Sequence, residues 1–346
     1  QAFVEIRKKQ ITGIEELNMW AGGRMLPSVF AEGRIIHLLS KLYGAEKALL
    51  SINLGSSATT LSLGFGNHLQ TKVYPHLGMG LSVSELLSHT TAKNIARWLP
   101  ISASSQKIND YIYTKALYPN SIPATKEDLL IEQALGREAL RLAIESFSKE
   151  LPDDVPVLKK SLLPLFEVVL AGGSVLSNAP TFGQSLLILL DALQPAGITS
   201  LILDKNNLIP ALGTAADISS ILPVQALETG AFINLATVIA PVSSARYGTN
   251  ILKASLRRAD GSVSTEEIKQ GGFKVLPLRA GETADLNLQP LRRADIGLGA
   301  GKKLSTKVSG SALGIVLDGR GRPLDLTSDD VRRRELIKKW LWTLGG

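Results

Sequence analysis

The period of the apolar positions changes along the chain, and the changes outline its elements. Residues 48–53 are largely apolar and predict a buried strand. Residues 59–65 alternate around Leu61, Leu63 and Phe65, and residues 69–74 complete a meander after the turn Gly66-Asn67-His68. Helical spacing follows from Ser82 or Ser84 to Arg97, with Leu86, Leu87, Ile95 and Trp98 inward. A polar, Pro-bearing insertion spans residues 101–125. Thr125 and Asp128 then form a capping-box pair, opening a long helix to about Lys149 with Leu129, Leu135, Leu142 and Ile144 inward. An apolar strand from Phe166 runs into Gly172-Gly173-Ser174, and a helix starts near Phe182. A strand at residues 198–203 is followed by a third helix that contains or ends at Gly213-Thr214-Ala215-Ala216. The predicted order is β-β-β-α-β-α-β-α.

Beyond Asn234 the pattern shortens to β-like runs at residues 236–240, 251–257, 272–278, 285–291, 303–308 and 314–317, punctuated by Gly and Asp. That spacing predicts a β-rich barrel or sandwich. A last helix is capped by Thr327 or Ser328, with Asp329 and Asp330 at its positive end. Its apolar side carries Val331, Leu336, Ile337, Trp340, Leu341 and Leu344, which predicts docking on its own domain or a partner more than on a membrane. The expected organisation is a helical connecting segment (1–46), an α/β domain (47–232), a β-rich domain (233–326) and a terminal amphipathic helix (327–346).

Composition narrows the classes. Among 346 residues, 45% are hydrophobic and 20% charged, enough apolar surface to offset the entropy of ordering. No apolar run approaches the roughly 18 residues that cross a bilayer. The chain has no cysteine, which removes disulfides and thiolate chemistry and fits a cytoplasmic protein. The net charge of +7 is uneven: residues 246–346 hold 19 Lys+Arg against 11 Asp+Glu. Only Tyr247 and Phe273 provide aromatics there before the last helix, so the platform expected for single-stranded nucleic acid is missing. The chain opens at Gln1 without a leader-like stretch and closes at Gly345-Gly346, which reads as a piece of a larger protein.

Two motifs carry candidate chemistry. Asn53-Leu54-Gly55-Ser56-Ser57-Ala58-Thr59-Thr60 joins the first two strands, and its small residues allow backbone N–H groups to approach an anion. The same residues also make ordinary hairpins. Gly172-Gly173 at a strand-to-helix turn has a structural reading too, since glycine supplies positive φ and close approach. His37, His68, His76 and His89 have no i,i+4 pair and no clustered carboxylates, so no metal site is expected. Ser56 and Ser57 do not sit in Gly-x-Ser-x-Gly, so no nucleophile elbow is expected and no catalytic residue is assigned.

The element order, the small-residue loop after the first strand and the strand-Gly-Gly-Ser turn together resemble the second half of the actin, sugar kinase and heat-shock chaperone superfamily. Within it the chain most resembles the MutL family encoded beside glutamate mutase, which is unrelated to the mismatch-repair protein of that name. The resemblance runs from Ile14-Glu-Glu-Leu-Asn-Met-Trp-Ala to Gly319-Arg-Gly-Arg-Pro-Leu324. Its more specific pieces are residues 53–60, His76-Leu-Gly-Met-Gly80, Leu170-Ala-Gly-Gly-Ser-Val-Leu176 and residues 319–324. It implies a ribonuclease-H-like, actin-type ATPase half-domain. Asn53, Gly55, Ser56, Ser57, Thr59 and Thr60 would then hold phosphates of ATP with magnesium. Gly172, Gly173 and Ser174 would border adenine and ribose. The first phosphate loop would precede Gln1, in an N-terminal half that acts as a partner of this chain.

One departure bears on activity. The superfamily loop usually opens with an acid that helps hold the magnesium, and here that position is Asn53; the acid often found after the Thr pair is Leu61. A neutral amide lacks the charge that hard Mg²⁺ favours. The expectation is therefore a MutL-like accessory or chaperone-like factor with a degenerate nucleotide site. This chain alone is expected to be inactive, with ATPase activity of the longer protein left open. Its partners would be a protein such as a mutase, or itself, with no nucleic acid and no membrane. The alternative is a non-catalytic protein-binding scaffold or assembly module. A sugar kinase reading suffers because residues 53–60 contain no acid to act as base.

Overall fold

The computed structural model describes residues 10–42, 47–152, 155, 157, 158, 161, 163–216 and 218–346. In the expected connecting segment, residues 1–9 and 43–46 lie outside the described residues. The remainder is helical, with α1 (Ile14–Trp20) and α2 (Ser28–Leu42).

Strands β1 (Ala48–Leu54), β2 (Thr59–Phe65) and β3 (His68–Tyr74) form the predicted antiparallel meander. Strands β4 (Phe166–Gly172) and β5 (Gly197–Leu203) then extend β1 on its other side in parallel. Strands in mid-sheet are covered on both faces, which is why β1 reads as largely apolar. Leu50, Ile52 and Leu54 share one core with Leu61, Leu63, Val169 and Leu203. That core is closed by α5 (Lys126–Ser148) and α7 (Phe182–Leu193). Leu49 and Leu170 face the opposite core, against Ile35, Ile36 and Leu39 of α2 and Leu212 of α8 (Ile209–Ala215). A short helix α9 (Ile221–Glu228) precedes the next strand.

The helices between β3 and β4 differ in part from expectation. Instead of one helix from Ser82 or Ser84 to Arg97 there are two 3₁₀ turns, Pro75–Leu77 and Val83–Ser88, and then α3 (Ala92–Ala96). The break falls at Thr90-Thr91, where each hydroxyl has other work. Thr90 Oγ1 donates to the buried Glu138 at 2.9 Å, and Thr91 Oγ1 accepts from Asn94 N–H as the cap of α3. The polar insertion holds a helix, α4 (Ser105–Leu117), capped by Ser104 and seated by Ile108 and Ile112 one turn apart. The capping box on α5 is present in both directions: Thr125 accepts from Asp128 N–H, and Asp128 accepts from Thr125 N–H, each at 3.1 Å.

After residue 232 the strands divide between two sheets. Strands β6 (Ile233–Ala240), β12 (Ile315–Asp318) and β9 (Phe273–Leu276) continue the large sheet, giving the order β3-β2-β1-β4-β5-β6-β12-β9. Strands β7 (Asn250–Arg258), β8 (Val263–Lys269), β10 (Thr283–Pro290) and β11 (Leu304–Ser309) form a second antiparallel sheet in the order β11-β10-β7-β8. Of the barrel or sandwich expected here, no closed barrel forms among the described residues. Ile251, Leu256, Leu286 and Leu288 of the small sheet pack instead on Ile239, Ile315 and Leu317 of the large one. Strand β8 escaped the sequence pattern because Val263-Ser-Thr-Glu-Glu-Ile-Lys269 buries only Ile268 fully.

The last helix, α10 (Asp330–Thr343), is capped by Asp329, which accepts from the N–H groups of Val331 and Arg332, rather than by Thr327 or Ser328. Ile337, Trp340, Leu341 and Leu344 join the main core, so the helix docks on its own protein; Val331 stays exposed. No described helix is long and apolar enough to cross a membrane.

A buried ionic network ties this end of the chain to the α/β core. Arg320 bonds both carboxylate oxygens of Asp318 (2.9 and 3.0 Å) and Asp191 of α7 (2.6 Å). Arg137 of α5 donates to the other oxygen of Asp191, and Arg322 donates to Asp318. The Arg320 guanidinium also lies over the rings of Trp340 and Phe273.

Candidate functional site

The two motifs lie side by side at the carboxyl ends of adjacent parallel strands, where Asn53 and Gly172 are register partners. Gly173 takes φ +105°, and a Cβ there would lie 2.2 Å from the Leu54 carbonyl oxygen. Glycine is thus required so that the turn can press against the end of β1. The turn leads into the short helix α6 (Ser174–Ser177).

The loop between β1 and β2 is narrowed by a Gly55 N–H bond to the Ala58 carbonyl (3.1 Å) and held down by a strap, residues 76–82. Met79 N–H donates to the Gly55 carbonyl (2.9 Å) and Gly80 N–H to that of Ser56 (2.8 Å). Thr59 Oγ1 donates to the Leu77 carbonyl at 2.7 Å. A Cβ on Gly78 would come within 2.5 Å of the Ser56 carbonyl, and one on Gly80 within 2.0 Å of its hydroxyl. This close crossing accounts for the glycine spacing in His76-Leu-Gly-Met-Gly80.

The nine candidate residues therefore differ in what they offer. Ser56, Ser57 and Ser174 are exposed; Asn53, Gly55 and Gly173 are half-buried; Thr59, Thr60 and Gly172 are buried. The Thr59 hydroxyl is already committed to the strap. Ser56 and Ser174 line one cleft of about 720 Å³, whose other wall is the α4–α5 connection and the start of α5. Lys115 and Glu132 pair at 2.7 Å on that wall, and Lys115 also donates to the Ser121 carbonyl. Gln133 gives an N–H to Gln184, while its Oε1 is buried without a partner.

Two buried carboxylates behind the loop went unread in the sequence. Glu32 of α2 is 2% exposed and accepts from Asn53 Nδ2 at 2.8 Å through Oε1, while its Oε2 is buried with no partner. Burial raises its pKa; the bond from Asn53 opposes this, and the charge of Asp204 adds to the rise. Asp204, at the end of β5, accepts from the N–H groups of Leu208 and Ile209, both at 2.8 Å, and starts α8. A signal for Glu32 did exist, because it falls on the apolar stripe of α2 with Ile35, Ile36 and Leu39. An acid on such a stripe is held there by a specific partner.

Exposed hydroxyls and small residues on the loop suit an oxyanion, and the orphaned Glu32 oxygen beside an amide suits a hard cation or its water. Glu32 and Asn53 themselves lie behind the loop and do not line the cleft. No group of three or more His, Asp or Glu side chains converges among the described residues.

Fold and site define a mixed α/β protein with a small-residue loop and a Gly-Gly-Ser turn bordering one cleft. The sequence model of the MutL protein family matches residues 1–230, and the chain belongs to that family. The matched stretch takes in both motifs, the strap, Glu32 and Asp204, and stops just before β6. It leaves residues 319–324 outside. No curated protein matches the chain.

Proposed function

We propose that the chain is a glutamate-mutase-associated accessory factor of the actin-type ATPase superfamily, cytoplasmic, with a ribonuclease-H-like domain and a degenerate nucleotide site. The observation that carries this is the convergence of Ser56 and Ser174 on one cleft from adjacent parallel strands. Ser56, Ser57 and the neighbouring N–H groups receive phosphate oxygens, and Gly173 and Ser174 lie toward the nucleoside. Magnesium, when bound with the nucleotide, supplies charge neutralisation at the phosphates. Asn53 holds a carboxylate one step behind the loop, where a direct acid would otherwise stand. The strap fixes the loop before any ligand arrives, which favours binding over turnover. On the superfamily resemblance, an N-terminal companion domain would supply the facing wall.

Thermal unfolding with and without magnesium ATP or ADP tests this. A ligand specific to the native state stabilises by about 2.7 kcal/mol at a hundredfold excess over its Kd. Saturable stabilisation is expected, and it should vanish in Ser174→Glu, which places a like charge at the cleft. No stabilisation of the chain or of its N-terminally extended form would favour the scaffold reading, for which the commitment of the Thr59 hydroxyl and the strap already speak.

Glu32→Gln gives a sharper result. The amide keeps an acceptor for Asn53 and removes a buried charge, whose unmet desolvation costs about 1–3 kcal/mol. The variant should be more stable than the parent at neutral pH. The raised pKa fixes the sign: the stability difference shrinks as pH falls and Glu32 takes up its proton. A variant less stable at neutral pH would count against the account of Glu32.

A further inference from the structure

A separate cleft of about 360 Å³ shares no lining residue with the first. It is lined by three arginines from three helices or their caps: Arg97 closing α3, Arg141 on α5 and Arg333 on α10. Gln194, Thr327 and Ser328 complete its polar wall, and Asp325 is the carboxylate among its lining residues.

Three guanidinium groups around one small space repel unless anions answer them. Glu138, fully buried beneath, answers part of the charge. It accepts from Arg97 Nη2 at 3.0 Å, from Arg141 Nε and Nη2 at 3.2 and 2.9 Å, and from Trp98 Nε1 and Thr90 Oγ1. With five donors on two oxygens it has no capacity left. Arg141 Nη1 goes to Glu145, and Arg333 donates to the Thr327 carbonyl and to Asp330. Arg141 Nη1 and Nη2 each make one bond and keep a second hydrogen. Left with no acceptor at all among the described residues are Arg97 Nε and Arg333 Nε, both buried. Asp325 makes no ion pair with either. Orphaned donors on charged groups are costly, and two of them on arginines that line one cleft leave a place for an acceptor.

We propose that this cleft binds a small phosphomonoester, with the phosphate among Arg97, Arg141 and Arg333 and the remainder against Thr327, Ser328 and Gln194. A tetrahedral dianion has oxygens for cations arriving from three directions, whereas a planar carboxylate serves one fork. The volume suits a small metabolite, near the lower end of the roughly 300–1,000 Å³ of ligand sites. Bound there, the phosphate would tie the terminal helix to α3 and α5. This inference does not rest on the nucleotide reading.

The test is thermal unfolding of the chain in inorganic phosphate and in glycerol phosphate, at constant ionic strength set with chloride. Both ligands are expected to raise the midpoint with saturation, glycerol phosphate at least as strongly as phosphate. Arg333→Gln lies outside the Glu138 cluster, so the fold should survive it, and it should weaken apparent affinity at least tenfold. Ser328→Glu, which adds a carboxylate to the rim, should do the same, while Ser174→Glu in the first cleft should leave the shift intact. The proposal is overturned if neither ligand shifts the midpoint. It is equally overturned if the shift survives in Arg333→Gln and Ser328→Glu, whether or not Ser174→Glu removes it.

Discussion

Replacing Asp318 with alanine is expected to cost about 3–5 kcal/mol, the range for breaking one side of a buried ion pair. Asp318 is fully buried and receives Arg320 through two bonds and Arg322 through one. Its removal leaves two buried guanidinium groups sharing only Asp191 and backbone carbonyls. Against a typical total of about 5–15 kcal/mol, most of the stability of the α/β–terminal-helix junction would be lost. Denaturant unfolding followed by tryptophan fluorescence reads this directly, since Trp340 stacks on Arg320. Acid should mimic the mutation. Burial alone would raise the Asp318 pKa, but the charges of Arg320 and Arg322 outweigh it and hold the carboxyl well below the ordinary range. A depressed folded pKa stabilises above the unfolded value, and that contribution disappears as pH falls below about 4. The parent protein should lose stability through that window, and an Asp318→Asn variant should lose less over the same range.

The second large effect falls on Gly173. Alanine there meets φ +105° and the Leu54 backbone, with carbonyl oxygen, carbon and nitrogen at 2.2, 2.6 and 2.9 Å from the new Cβ. Backbone strain of about 1–3 kcal/mol and overpacking of about 1–3 kcal/mol together predict a loss of roughly 2–6 kcal/mol. Gly172→Ala should be nearly neutral by contrast, since its Cβ would meet only ordinary contacts with Asp204 at 3.6 and 3.7 Å. Equal losses in the two variants, read from denaturant midpoints, would refute the assignment. The contrast also matters for function. A bulky residue at Gly173 would disturb the fold itself, so Ser174 is the position at which the cleft can be probed.

Much of the large sheet was legible because its signals are local. The alternation at Leu61, Leu63 and Phe65, the Thr125–Asp128 box and the apolar run into Gly172 each reflect one element and its neighbours in sequence. What stayed hidden depends on distant partners. The helix predicted through Thr90 breaks at Thr91, whose extended backbone caps the next helix, while Thr90 beside it is held by Glu138, 48 residues away. Strands β6, β12 and β9 look like their small-sheet neighbours in sequence, and only pairing shows that they extend the large sheet. At the site, Asn53 reads as a lost acid when the loop is considered alone. The structure places Glu32 against it from 21 residues upstream. Arg320 and Arg322 belong to a run that stood out only by resemblance, and their role appears once Asp191 and Asp318 are brought beside them.

On the proposed function, a nucleotide enters the cleft between the first loop and the Gly-Gly-Ser turn. Calorimetric titration of magnesium ATP into the chain, its N-terminally extended form and the Ser174→Glu variant of each tests it most directly. The account predicts saturable, magnesium-dependent binding by the chain or by the extended form, lost when Ser174 becomes glutamate. Absence of binding in both forms, or binding that Ser174→Glu leaves unchanged, would contradict it.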